Sequence, residues 1–217
     1  MSNQDEIELT PDLLLQGYRA GVFPMSETRD SEDVFWVDPR FRGILPLDGF
    51  HISRSLRKRL LRGDYRVSFN TCFADVVRGC ANRDETWINA TIFDLYKALH
   101  DQGDAASCEV WQNDTLVGGV YGVTIGSAFF GESMFSTATD ASKVALAFLT
   151  DKLRTDGFTL FDTQFITDHL ASLGGIEIPR SAYHALLRDA LKQTTEFTPS
   201  LQMASAQDLI QRNTQTS

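Results

Sequence analysis

Cysteine is scarce: Cys72, Cys80 and Cys108 are the only three in 217 residues, with no Cys-x-x-Cys pair and no histidine at ligand spacing. That excludes a disulfide framework and a thiolate metal site, and it reads as reduced, mostly buried thiols in a cytoplasmic protein. Long apolar runs are missing as well: no window of 18 consecutive apolar residues exists, so no segment is expected to span a membrane. The opening Met1-Ser2-Asn3-Gln4-Asp5-Glu6 is acidic and lacks the basic start and apolar core of a secretory leader. Positive charge is in deficit, with 20 Lys and Arg against 29 Asp and Glu for a formal charge of −9. A general nucleic-acid binder carries the opposite balance, so any nucleic-acid contact has to be local. Internal repeats are absent, and so is a Gly-rich phosphate loop opening a helix. The second absence argues against an acyltransferase that uses acetyl-CoA.

What is present suffices for a sizeable core, in one large domain or two small ones. From Val117 to Leu146 the chain reads as two strands joined at Ile125-Gly126, then a loop, then a helix. The loop Gly131-Glu132-Ser133-Met134-Phe135-Ser136 sets one carboxylate among apolar side chains, just after Phe129 and Phe130. Such a glutamate is either turned to water or buried with a partner, because desolvation raises its pKa and makes the bare charge expensive. A second apolar strand, Phe158 to Phe165, carries Asp162 and Gln164, which lie two apart and so share a face. With these strands adjacent, Glu132, Asp162 and Gln164 meet beside an apolar pocket.

Elsewhere, Thr10-Pro11-Asp12 opens a helix that Gly21 closes, and an acidic surface loop is expected from 26 to 33. Val34 to Val37 is strand-like, and its Trp36 is either core or a binding residue. In the helix around 51–62, Ile52, Leu56 and Leu60 face inward. Arg54, Arg57, Lys58, Arg59, Arg62 and then Arg66 form the densest basic cluster of an acidic chain. It is either a solvated face or a stripe that holds phosphates. Helices are also expected over 91–99, 140–154 and 183–192, around a strand meander, which together indicate an α+β architecture. The composition shifts near Gly63, and 193–217 reads as a loosely held tail.

Several strings taken together closely resemble the leucyl/phenylalanyl-tRNA-protein transferase family. They are Tyr18-Arg19-Ala20-Gly21-Val22-Phe23-Pro24-Met25, His51-Ile52-Ser53-Arg54-Ser55, Thr86-Trp87-Ile88, Gly131-Glu132-Ser133-Met134-Phe135-Ser136, Ala141-Ser142-Lys143 and Asp168-His169-Leu170-Ala171-Ser172-Leu173-Gly174. The resemblance implies an enzyme that moves Leu or Phe, and less well Met, from aminoacyl-tRNA to the α-amine of a protein beginning with Arg or Lys, marking it for degradation. It implies a monomer with no acetyl-CoA, nucleotide or metal cofactor. It also implies a GNAT-like C-terminal domain, placed at 63–192, preceded by a smaller α/β N-terminal domain, 1–62, that contacts tRNA. Under it Asp162 and Gln164 draw the proton from the attacking amine, and Glu132 favours a cationic N-terminal residue. Met134, Phe129, Phe130, Phe135, Leu146 and Leu149 form the aminoacyl pocket, and Trp36 and Trp87 stack on the terminal adenosine. Arg42, Arg54, Arg57, Lys58, Arg62 and Arg66 contact the tRNA. The competing readings are an acetyl-CoA-dependent acyltransferase and a tRNA-binding module without catalysis.

Overall fold

The computed structural model describes residues 9–26, 34–84, 86–198 and 204–215. The acidic opening and, apart from Ser26, the acidic loop expected from 26 to 33 lie outside them. Helix α1 (Pro11–Ala20) starts as its sequence dictates: Thr10 caps it by accepting the N–H of Leu13, and Gly21 ends it with φ of 87°. Strands β1 (Phe23–Met25) and β2 (Phe35–Val37) form a small antiparallel sheet.

The main sheet has seven strands in the order β4-β5-β6-β7-β8-β3-β9. They are β3 (Phe41–Ile44), β4 (Arg66–Phe69), β5 (Ala105–Gln112), β6 (Thr115–Ile125), β7 (Ala128–Ser136), β8 (Leu160–Gln164) and β9 (Ile176–Pro179). All neighbours run antiparallel except β7 and β8, which run parallel with α5 (Ala141–Asp156) as their crossover. Helices cover both faces of this mixed sheet. Buried side chains of α1, α3 (Phe73–Ala81), α4 (Ala90–Gln102) and α7 (Arg180–Ala190) share one core. Those of α2 (Arg54–Arg62), α5, α6 (Asp168–Ser172) and α8 (Ala206–Gln215) share the other.

Two expectations are corrected here. The segment with Glu132 is strand β7, not a loop. Strand β3 sits between β8 and β9, and Leu56 and Leu60 of α2 pack in the same core as Val144 and Leu149. The tail is not loosely held over α8, where Leu209 and Ile210 are buried and Arg212 makes a two-pronged ion pair with Asp151 of α5. Its low apolar content hid this, since two inward residues on one turn are enough to dock a short helix on an existing core. Leu209→Ala should therefore destabilise the fold by roughly 3 kcal/mol in chemical denaturation; a change within error would mean that α8 only lies against the surface.

Candidate active site

The pairing of β7 with β8 extends from Ala128↔Leu160 to Phe130↔Asp162 and then stops. Beyond that point β7 continues beside β6 alone, while β8 turns to β3, so the sheet opens between them. Each strand carries an irregularity at the opening. In β7, Gly131 and Ser133 pair with consecutive residues of β6, which leaves Glu132 as the extra residue of a bulge. In β8, Gly43 and Ile44 pair with Gln164 and Asp162, so Thr163 is skipped. Gln164 has φ of 63°, an uncommon conformation for a residue with a Cβ.

Three donors converge on Glu132. Tyr18 donates to Oε1 at 2.8 Å, the amide of Gln164 donates to the same oxygen at 3.0 Å, and Tyr96 donates to Oε2 at 2.7 Å. The two phenol oxygens are themselves 2.6 Å apart. Burial pushes the Glu132 carboxyl up to about 7, against the three hydrogen bonds, which pull it down. Tyr18 and Tyr96 are also raised, first by burial and then by the Glu132 charge, so they remain donors at neutral pH.

Asp162 is fully buried and fully engaged. Arg42 grips it with Nε at 2.9 Å from Oδ1 and Nη2 at 2.7 Å from Oδ2, Tyr183 donates to Oδ2 at 2.7 Å, and the backbone N–H of Gln164 donates to Oδ1 at 2.8 Å. Glu132, Asp162 and Gln164 thus come together, as the strand pattern predicts. The link between the last two differs from expectation. Asp162 holds the backbone of Gln164, while the side-chain amide of Gln164 points to Glu132.

The expected aminoacyl pocket is split by the sheet. Phe129, Leu146 and Leu149 lie in the core under α5, and Met134 packs against it. Phe130 lies on the opposite face with its ring 4.9 Å from that of Tyr18, and Phe135 packs on that side too. Alternation separates Phe129 from Phe130. The bulge then resets the pattern, so that Met134 and Glu132, two apart, face opposite sides.

The two tryptophans pack against different helices, Trp36 from β2 against α1 and Trp87 from the segment before α4 against α4. Trp36 is about one-third exposed and lies flat against Gly17 of α1, where any side chain would collide with its ring. Trp87 meets the ring of Tyr96 edge-on at 6.4 Å. Arg54, Arg57, Lys58 and Arg62 line one exposed groove along α2 with no carboxylate of the described residues paired to them. Arg66 stands apart on β4, over the ring of Trp111 and 3.8 Å from Asp114. Arg42 cannot reach a phosphate: it is 1% exposed and consumed by Asp162. The stretch 41–46 is mostly apolar, but nothing in it says that its one charged side chain turns inward.

Tyr18, Tyr96 and Tyr183 are the functional side chains that the sequence did not single out. The one available signal was chemical, that a buried phenol needs an acceptor, and it does not say which one. Among the described residues no three His, Cys, Asp or Glu side chains gather as metal ligands, and no helix is long and apolar enough to cross a membrane.

An acid that burial pushes toward neutrality, at an opening between parallel strands, has the character of an enzyme's working group rather than of a scaffold residue. The fold is similar to that of the crystal structure of FemX, with a TM-score of 0.51 at 15% identity over 77% of this chain and 66% of that one. Residues 44–188 match the family profile of leucyl/phenylalanyl-tRNA protein transferase, and residues 7–40 match the profile of its N-terminal domain. A leucyl/phenylalanyl-tRNA--protein transferase of Cereibacter sphaeroides is 63% identical over 96% of this chain and 98% of that protein. Proteins of the same name from Ruegeria sp. and Roseobacter denitrificans are 63% and 57% identical, over 96% and 97% of this chain and 99% and 100% of theirs. The chain belongs to the leucyl/phenylalanyl-tRNA-protein transferase family and is an aminoacyltransferase.

Proposed function

We propose that the chain transfers leucine or phenylalanine, and methionine less well, from aminoacyl-tRNA to the α-amine of proteins that begin with Arg or Lys, marking them for degradation. The α-amine attacks the ester carbonyl, a C–N bond forms, the ester C–O bond breaks, and the 3′-hydroxyl of the tRNA leaves. Because the ester is already activated, the protein has to position the amine, take its proton and exclude water. No cofactor is needed for that balance. We place the reaction in the cytoplasm and assign the chain as a monomer.

The observation that carries this reading is Glu132, poised near neutrality beside the amide of Gln164. As a carboxylate it accepts the proton of the ammonium and attracts a cationic N-terminus; as a carboxylic acid it returns a proton to the departing oxygen. Gln164 uses its free amide oxygen to orient the amine. Asp162, whose oxygens are all engaged, acts by holding Gln164. The sheet opening between β7 and β8 supports a GNAT-like catalytic body, since it gives a substrate a passage at the ends of two parallel strands. Met134, Phe129, Leu146 and Leu149, which share one face, form the wall that takes the Leu or Phe side chain. Phe130 and Phe135 instead shape the face occupied by Glu132. Trp36 and Trp87 are assigned to the terminal adenosine, where a stacked base is worth about 1–3 kcal/mol. Arg54, Arg57, Lys58 and Arg62, with Arg66 at the edge, take the tRNA phosphates.

The direct test incubates the protein with labelled Leu-tRNA and a peptide that begins with Arg. Transfer of label to the peptide is expected, and tRNA binding without transfer would make the chain a binding module. Met134→Trp should lower kcat/KM for Phe-tRNA roughly tenfold more than for Leu-tRNA. Equal loss for both would place the pocket elsewhere.

A further inference from the structure

Arg42 is the largest of the fully buried side chains, and no step of the transfer uses it directly. Its guanidinium lies between the rings of Phe23 and Tyr183, 4.4 Å from each centroid. Nη1 donates to the carbonyl of Gly21 at 3.1 Å, Nη2 reaches the Tyr183 hydroxyl at 3.2 Å, and the Nε/Nη2 edge forms the fork on Asp162. Burial works against the cation, yet the charge and hydrogen bonds of Asp162, with Tyr183 and Glu132, together offset it and Arg42 is raised. Stability alone gives little reason to bury such a pair, because apolar residues of equal volume usually serve as well or better.

The reason is found one hydrogen bond further on. The same Asp162 oxygen that accepts Arg42 Nε also accepts the N–H of Gln164. Gln164 is held at φ of 63°, a conformation that costs a residue with a Cβ about 1 kcal/mol or more and persists only where neighbours enforce it. That backbone aims the Gln164 amide at Glu132. At its other end Arg42 grips the C-cap of α1, three residues beyond Tyr18, which supplies a second donor to Glu132. One cation therefore sets two of the three groups that define the state of the acid.

We propose that Arg42 is a positioning residue for aminoacyl transfer: through Asp162 it locks the backbone of Gln164, and through Gly21 it fixes Tyr18, so that both donors meet Glu132. This rests on the transfer reaction proposed above. The groups that face Asp162 are Arg42 from β3, Tyr183 from α7 and, across the opening, Glu132 from β7 with Tyr18 and Tyr96 behind it. No exposed cation is involved, so the role is separate from phosphate binding.

Arg42→Lys keeps the charge but loses the fork, and Arg42→Gln loses both. Tyr183→Phe keeps the ring beside the guanidinium and removes only the hydroxyl. At a temperature where each variant is folded, kcat should fall about tenfold in Arg42→Lys and Tyr183→Phe and about a hundredfold in Arg42→Gln, with KM for aminoacyl-tRNA and for peptide within about twofold. In Tyr183→Phe, the variant least prone to misfold, the Gln164 amide should also exchange with solvent about ten times faster. A raised KM for tRNA with unchanged kcat would overturn the proposal in favour of a phosphate contact. Unchanged kcat and unchanged Gln164 protection, with a lower Tm, would overturn it in favour of a brace. A native protein that transfers no leucine would instead refute the proposed function; Gln164 protection in Tyr183→Phe and Arg42→Lys then still decides whether Arg42 holds that backbone.

Discussion

Glu132→Gln should lose about 10²- to 10⁴-fold in kcat, the span over which a positioned acid or base acts. It should also gain stability at alkaline pH. Glutamine keeps the shape, and the phenol pair Tyr18–Tyr96 can reverse its donors to receive the new amide N–H, so no buried group is left unpaired. The sign of the stability change follows from the raised carboxyl. Between roughly pH 4.5 and 7 the native protein holds a proton at Glu132 that the unfolded chain has released. Native stability therefore falls as pH rises through that window and levels off above it. A shift from 4.5 to about 7 corresponds to about 3 kcal/mol, so the variant should exceed the native protein by up to that amount at pH 8 and match it at pH 4. Denaturation curves at both pH values test this. Parallel pH dependence of the two proteins would show that folding does not shift the Glu132 carboxyl, and full activity of the variant would remove it from proton transfer.

The second large effect concerns α2. Replacing Arg57, Lys58 and Arg62 together by glutamine should lower kcat/KM for aminoacyl-tRNA about a hundredfold at low salt. It should also reduce the slope of log K against log salt by about 2 to 3, the value for three lost phosphate contacts. The KM for peptide should not move. Stability should not move either, because these side chains are exposed and pair with no carboxylate of the described residues, so nothing in the fold depends on them. A salt slope equal to that of the native protein would make the groove a solvated face and move tRNA binding to another surface. A groove that holds tRNA on an acidic chain would also act kinetically, by orienting an incoming polyanion that the rest of the surface repels.

Together these effects divide the molecule by chemistry. The cations on α2 lie outside, where phosphates can exchange with water, while the cation that matters to Gln164 is sealed inside. Arg42 and the cations of α2 belong to one stretch, 42 to 62, and burial separates them.

The legible parts of the sequence were those governed by short-range rules. The Thr10 cap, the Gly21 stop and the inward Leu56 and Leu60 all follow from three- or four-residue spacings. The motif strings that point to the family lie in the same category, because each is a run of neighbours. What spacing could not give was the bulge at Glu132. A bulge exists only in the pairing of one strand with another, and it turned Met134 away from the acid that precedes it by two. Nor could spacing show that α8 docks, since that depends on a surface supplied by α2 and α5.

By itself the sequence determined the family, the two acids and the amide at the centre, and a local basic helix on an acidic protein. The tertiary structure alone decided that Arg42 is interior, that three tyrosines complete the site, and that the apolar candidates divide between two faces. The physical reason is that hydrogen-bond partners and strand register are set across 20 to 140 residues of chain, as between Tyr18 and Glu132 or Arg42 and Tyr183. Side-chain identity fixes what each group can donate or accept, and only packing decides which group stands opposite.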